Sequence, residues 1–130
     1  MSLKKIVFNW GPAILLMLGI FFLSSRQRVS VADSFTINFI FFKSLHVIEY
    51  ATLFFLVFRA MYKTFSNLEL SKILFLSVII CVAYAISDEV HQTYVPTRNG
   101  TIIDVFIDTI GILIAKYYTE KYIQVIKKYI

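Results

Sequence analysis

The sequence predicts an all-α integral membrane bundle of four transmembrane helices, and three observations predict it. Hydrophobic residues make up 58% of the 130 positions and charged residues only 16%, against about half and about a quarter in ordinary globular chains. The mean hydropathy is +0.74. The apolar residues gather into four runs, each close to the ~20 residues that cross a bilayer as a helix. No region of soluble character separates them, so residues 1–130 are read as one domain.

The first run, 6–23, follows Lys4 and Lys5. A signal peptide has the same basic start, but this run is long for an h-region and Ser24-Ser25-Arg26 lacks an A-x-A-like cleavage pattern, which favours a span. Trp10-Gly11-Pro12 suits a helix entering at the interface, with Pro in its first turns. Residues 26–38 form a polar connection in which Val31, Phe35 and Ile37 alternate with polar residues. A plain loop and a segment lying along the membrane surface fit it equally.

The second span is expected at 39–59, the third at 70–87 and the fourth at 101–118. Phe21, Phe22, Phe41, Phe42, Phe54 and Phe55 serve as lipid-facing or packing residues. Residues 119–130 alternate Lys121, Lys127 and Lys128 with Tyr122, Ile123, Val125 and Ile126, a basic amphipathic tail suited to a membrane surface. The lone Cys81 lies in an apolar run, which excludes an intramolecular disulfide and fits core filling.

The net charge is +5, but the basic residues are dispersed, which argues against nucleic acid. Nine of the thirteen, from Lys4 and Lys5 through Arg59, Lys63 and Lys72 to Lys116, Lys121, Lys127 and Lys128, fall on one side of a four-span chain; Arg26, Arg28, Lys43 and Arg98 fall on the other. The positive-inside rule then places both termini in the cytoplasm.

Ionisable groups concentrate in one stretch, Ser87-Asp88-Glu89-Val90-His91-Gln92-Thr93-Tyr94-Val95-Pro96-Thr97-Arg98. Charge next to hydrocarbon is costly and ordinarily faces a protein interior or a wet cavity, so this stretch is the expected functional centre, and under the topology above it faces outward. Helical spacing adds partners. Lys43, His46 and Tyr50 share a face of the second span, with Glu49 pointing elsewhere. Tyr84, Asp88, His91 and Gln92 share a face if the third helix continues, with Glu89 to the side. Asp104, Asp108 and Gly111 line the fourth. All three stripes lie at the same end of their helices, which predicts one polar pocket rimmed by Ser24, Ser25 and Gln27.

In that pocket His91 or His46 can act as general base, oriented by Asp88 or Glu89. Lys43 and Arg98 suit an anionic head group, and Tyr50, Gln92, Asp104 and Asp108 complete the substrate-binding set. Ser87 is the adjacent hydroxyl, and it is more simply a helix residue. The histidines and carboxylates include the ligand types of zinc, without a spacing such as H-E-x-x-H to support a metal. No cofactor is specified. Each histidine alone is more often a hydrogen-bonded interior residue, and pairing of Lys43 or Arg98 with Asp104 or Asp108 equally serves to hold helices together. Pro96-Thr97-Arg98-Asn99-Gly100 reads as a turn in which Asn-Gly tolerates positive φ, and Thr101 can cap the fourth helix.

These residues resemble the VanZ-like family of small bacterial membrane proteins. The matching positions are Ser24-Ser25 with Gln27, Lys43-x-x-His46-x-x-x-Tyr50, Arg59, Tyr84-Ala85-x-Ser87-Asp88-Glu89-x-His91-Gln92, Pro96-x-Arg98 and Asp104-x-x-x-Asp108-x-x-Gly111. The chain departs from the family at Thr97, where Gly is common, and at Asp108, where Asn is frequent. The resemblance implies a multi-pass protein of the bacterial cell membrane. Its named member is linked to low-level teicoplanin resistance, and no reaction is established. Two functions follow as expectations: a protein that alters how a lipoglycopeptide such as teicoplanin engages the surface, with membrane lipids or a lipid-linked envelope substrate as partners, and a membrane enzyme acting on such a substrate. A scaffold subunit is the plainer alternative, and a transporter fits least, because no repeated pair of broken helices is visible.

Overall fold

The computed structural model describes residues 3–27, 30–31 and 33–130, and all the regular structure in them is helical. The helices are α1 (Leu3–Ser24), α2 (Phe35–Thr64), α3 (Leu70–Gln92), α4 (Ile102–Lys121) and the single turn α5 (Ile123–Ile126). Three of them, α1, α2 and α3, are long and apolar enough to cross a membrane. The fourth has the length, but Asp104, Asp108, Lys116, Glu120 and Lys121 interrupt its apolar character.

Several boundaries differ from the sequence expectation; α2 ends at Thr64 and α4 at Lys121, beyond the expected 59 and 118. Helix α2 runs 30 residues, about 45 Å at 1.5 Å per residue, and takes in Phe35–Asn38, which were expected in the connection. Helix α3 continues past Ser87 to Gln92. At the start of α2 Ser34 caps the helix, its hydroxyl accepting from Ile37 N, and Asn38 bonds Ser30 and Val31 of the connection; at the end of α3 Asp88 and Glu89 find partners in Ser24 of α1 and Thr101 before α4. Arg28, counted above among the outward charges, lies outside the described residues. Helix α1 begins at Leu3, which puts Pro12 in its interior and not its first turns.

Helix α2 is the central column: it packs on α1, α3 and most extensively on α4. Its Tyr50, Leu53, Phe54, Val57, Phe58 and Met61 are buried, a run at helical spacing that meets Ile73, Leu74, Cys81 and Ala85 of α3, Ala13 and Ile20 of α1 and Ile112 of α4. Phe54 is therefore core, whereas Phe21, Phe22 and Phe41 are exposed. An apolar exterior around an apolar core suits a bundle solvated by lipid. At the end carrying the chain's N-terminus, Trp10 Nε1 donates to Thr64 Oγ1 at 3.1 Å, tying α1 to α2. The tail turns its apolar side back to the bundle, with Ile123 buried and Ile126 and Ile130 against the core, while Lys121, Lys127 and Lys128 stay exposed.

One contact sets the spacing of α2 and α4. A Cβ on Gly111 would lie 2.3 Å from the Val47 carbonyl oxygen, so only glycine permits this approach. Val47 adjoins His46, and Gly111 lies one turn beyond Asp108. The close crossing thus positions the polar residues above it.

Candidate polar site

At the opposite end from Trp10, the C-terminal ends of α1 and α3 meet the first turns of α4 and the first half of α2. Between α2 and α4 the polar residues form two rungs. Lys43 Nζ pairs with Asp104 Oδ1, their side chains 20% and 14% exposed. One turn deeper, His46 Nδ1 meets Asp108 Oδ1 at 3.1 Å, with Asp108 fully buried. Beneath both lies Tyr50, also fully buried. Thr101 caps α4 as its sequence suggests, its hydroxyl accepting from Asp104 N at 3.2 Å, and this starts the helix where Asp104 faces Lys43.

Helix α3 supplies a second network centred on Gln92. Its Nε2 donates to Asp88 Oδ2 and to Glu89 Oε1, both at 3.0 Å, and its Oε1 accepts from an Arg98 terminal nitrogen at 3.4 Å. Ser24 Oγ donates to Asp88 Oδ1 at 2.6 Å, and Glu89 Oε2 accepts from Thr101 N at 3.1 Å. Asp88, Glu89 and Gln92 are each buried. Arg98 spends its other donors on the end of α1, with Nε to Arg26 O at 2.8 Å and Nη2 to Leu23 O at 3.1 Å. Carbonyls at a helix C-terminus have no partner within the helix, so a guanidinium fork there both caps α1 and fastens it to the turn after α3.

Nine of the ten sequence-predicted residues are thus joined in this region: Lys43, His46, Tyr50, Asp88, Glu89, Gln92, Arg98, Asp104 and Asp108. His91 stands apart. Its Nε2 meets Ser25 Oγ at 3.0 Å and its ring lies 4.3 Å from that of Phe21, so it faces α1 while Asp88 is held by Ser24 and Gln92. The imidazole–carboxylate unit that forms is His46 with Asp108, not His91 with Asp88 or Glu89. Glu89 points inward and not to the side, because α3 packs on both α2 and α4 and its interior face is wide enough to take residues 88, 89 and 92 together. Glu49, expected to point elsewhere, lies within electrostatic reach of His46, Asp108 and Asp88. Ser24, expected on the rim, is 5% exposed and a direct partner of Asp88. Tyr84 donates to Met17 O at 2.6 Å, tying α3 to α1.

The turn after α3 also departs from expectation. Thr97, not Asn99 or Gly100, takes positive φ, at 70°. For a β-branched residue this stores about 1–2 kcal/mol. Gly100 is required for space, since a Cβ there would lie 1.9 Å from the Glu89 carbonyl oxygen.

Above the rungs opens a cavity of about 350 Å³. Lys43, His46, Gln92, Arg98 and Asp104 line its polar part, and Phe35, Phe39 and Phe42 its apolar wall. Lys43 is engaged by Asp104, whereas Arg98 has no carboxylate within ion-pair distance among the described residues. Its hydrogen bonds go to the neutral acceptors Arg26 O, Leu23 O and Gln92 Oε1, with Glu49 within electrostatic reach. The arrangement can hold an anion at Arg98 beside an aromatic wall, and it can exchange a proton at His46, whose ring Asp108 orients.

No curated protein sequence and no solved structure gives a significant match to the chain. A family model described as VanZ/LLP1 matches residues 7–119, and the motifs now seen to converge at the polar end lie within that match: the chain belongs to the VanZ/LLP1 family.

Proposed function

We propose that this protein is a four-span bundle of the bacterial cell membrane, with both termini cytoplasmic and the polar cavity outward, that takes the anionic head of an envelope lipid and so alters the surface met by lipoglycopeptides such as teicoplanin. The single observation that carries this reading is the amphipathic cavity, with the Arg98 guanidinium, outside ion-pair distance of any carboxylate among the described residues, on one side and three phenylalanines on the other. A phosphate-bearing lipid has the same two-part chemistry: oxygens matched to a guanidinium fork and an acyl or prenyl chain matched to aromatic surface. The fourth span is supported by the length of α4, about 30 Å, and by its two aspartates facing α2 and not lipid. The outward orientation is supported by the lysine and arginine distribution.

The test is teicoplanin and vancomycin susceptibility of a sensitive Gram-positive host expressing the chain. Lower susceptibility to teicoplanin than to vancomycin is expected, and Arg98→Ala at equal membrane abundance is expected to remove it, since losing a charge-assisted contact costs roughly tenfold or more in binding. No shift with the native protein sinks this reading.

The His46–Asp108 pair favours a second reading, a membrane enzyme acting on a lipid-linked envelope substrate. An imidazole held through one nitrogen by a buried carboxylate is suited to take a proton from a hydroxyl or water in the cavity that it lines. On this reading His46→Ala lowers turnover of one envelope lipid by about 100-fold or more, while His91→Ala, facing α1, has a far smaller effect. Lipid profiles unchanged in both variants would exclude it.

A further inference from the structure

We infer that His46, Glu89 and Asp108 form a buried site for a divalent transition-metal ion beneath the cavity. Each residue comes from a different helix, α2, α3 and α4, and each offers a ligand atom within 4.8 Å of the other two. One imidazole and two carboxylates is the donor set of zinc and manganese sites, in contrast to the all-oxygen sets of calcium and magnesium.

Two further observations point to an ion there. Asp108 is fully buried, and its Oδ2 has no hydrogen-bond partner among the described residues. The same is true of the Tyr50 hydroxyl, which lies beneath and within electrostatic reach of Asp88 and Asp108. A buried carboxylate oxygen without a partner bears the full desolvation cost. A metal ion gives Oδ2 its partner, and a water bound to that ion gives one to Tyr50.

The charge balance argues the same way. Asp88, Glu89 and Asp108 are at most 4% exposed, and among the described residues the sole basic group within ion-pair distance of any of them is the imidazole of His46. Lys43 is taken by Asp104. A dication supplies the missing positive charge at the point where α2, α3 and α4 converge. The contacts already in place would orient its ligands: Gln92 and Thr101 N hold the two oxygens of Glu89, as outer groups hold ligands in known metal sites. The proposal does not depend on what occupies the cavity, so lipid binding can fail while metal binding holds, and the reverse.

The experiment uses the full chain, free of any polyhistidine tag, purified in detergent, stripped with chelator and dialysed against Zn²⁺ or Mn²⁺. Metal content by mass spectrometry and thermal midpoint are measured together. One equivalent per chain is expected, with a midpoint that rises with metal concentration. Asp108→Asn and His46→Ala are expected to lower affinity by more than about tenfold, the scale set even by outer-shell partners, while Glu120→Gln, at the far end of α4, retains it. Should either ligand variant fail to fold, titration of the native chain still decides. The absence of saturable binding there, as for a site holding only water or a shared proton, overturns the proposal. Retention of the equivalent by both folded ligand variants overturns it as well.

Discussion

Gly111→Val is expected to abolish the folded bundle, and Gly111→Ala to lower its thermal midpoint sharply. The added Cβ would stand 2.3 Å from the Val47 carbonyl oxygen and 3.1 Å from two other backbone atoms of Val47. These are parts of a helix interior that cannot swing aside as a side chain can. Relief requires α2 and α4 to separate, yet this is the most extensive interface of the bundle. Over-packing in a core commonly costs about 1–3 kcal/mol, and separation adds the loss of both polar rungs. Thermal unfolding in detergent, followed by size-exclusion fluorescence, measures it. A midpoint for Gly111→Ala equal to that of the native chain would show that the helices are not in contact there.

The second large effect is expected from the upper rung. Lys43→Met leaves Asp104 facing α2 without its cation. For fully buried pairs such a deletion costs about 3–5 kcal/mol; with side chains 20% and 14% exposed, about 2 kcal/mol or more is expected here. Lys43→Met combined with Asp104→Leu should recover most of that loss, since replacing both members of a buried pair by apolar residues is often neutral. A double variant no more stable than Lys43→Met alone would show that the lysine acts through something other than Asp104. Because Lys43 also lines the cavity, the double variant is expected to fold and yet be impaired in lipid binding, which separates the two roles of this side chain.

Much of this site was legible from spacing. Lys43, His46 and Tyr50 on α2 and Asp104, Asp108 and Gly111 on α4 are periodic within single helices, and period alone puts each set on one face. What spacing cannot supply is the direction of a neighbour. His91 and Gln92 are adjacent in sequence, yet one turns to Phe21 and the other inward, because α1 and α4 flank α3 on different sides. Glu89 falls to the side on a wheel drawn for one helix, which has no second interface to receive it. The helix ends at Phe35 and Gln92 are not legible from polarity, because a helix stops or continues according to whether each group finds a partner: Ser34 caps α2, and Asp88 and Glu89 are held by Ser24 and Thr101. Thr97 was invisible to propensity, which assigns positive φ to Asn-Gly before it assigns it to threonine.

The partnering of α4 also bears on how the chain enters a bilayer. An aspartate at the centre of a spanning helix costs roughly 2.5–3.5 kcal/mol on insertion; α4 carries Asp104 in its first turn and Asp108 one turn further in, both on the face that meets α2. The first three helices are long and apolar enough to cross a membrane, whereas charged residues interrupt the apolar character of α4. On the four-span topology proposed above, Lys43 and His46 would already stand in the membrane to receive those carboxylates, and the polar end would act as the docking station that retains the last helix during biogenesis. The order of the helices in the chain, with acceptor α2 synthesised well before donor α4, provides that sequence of events.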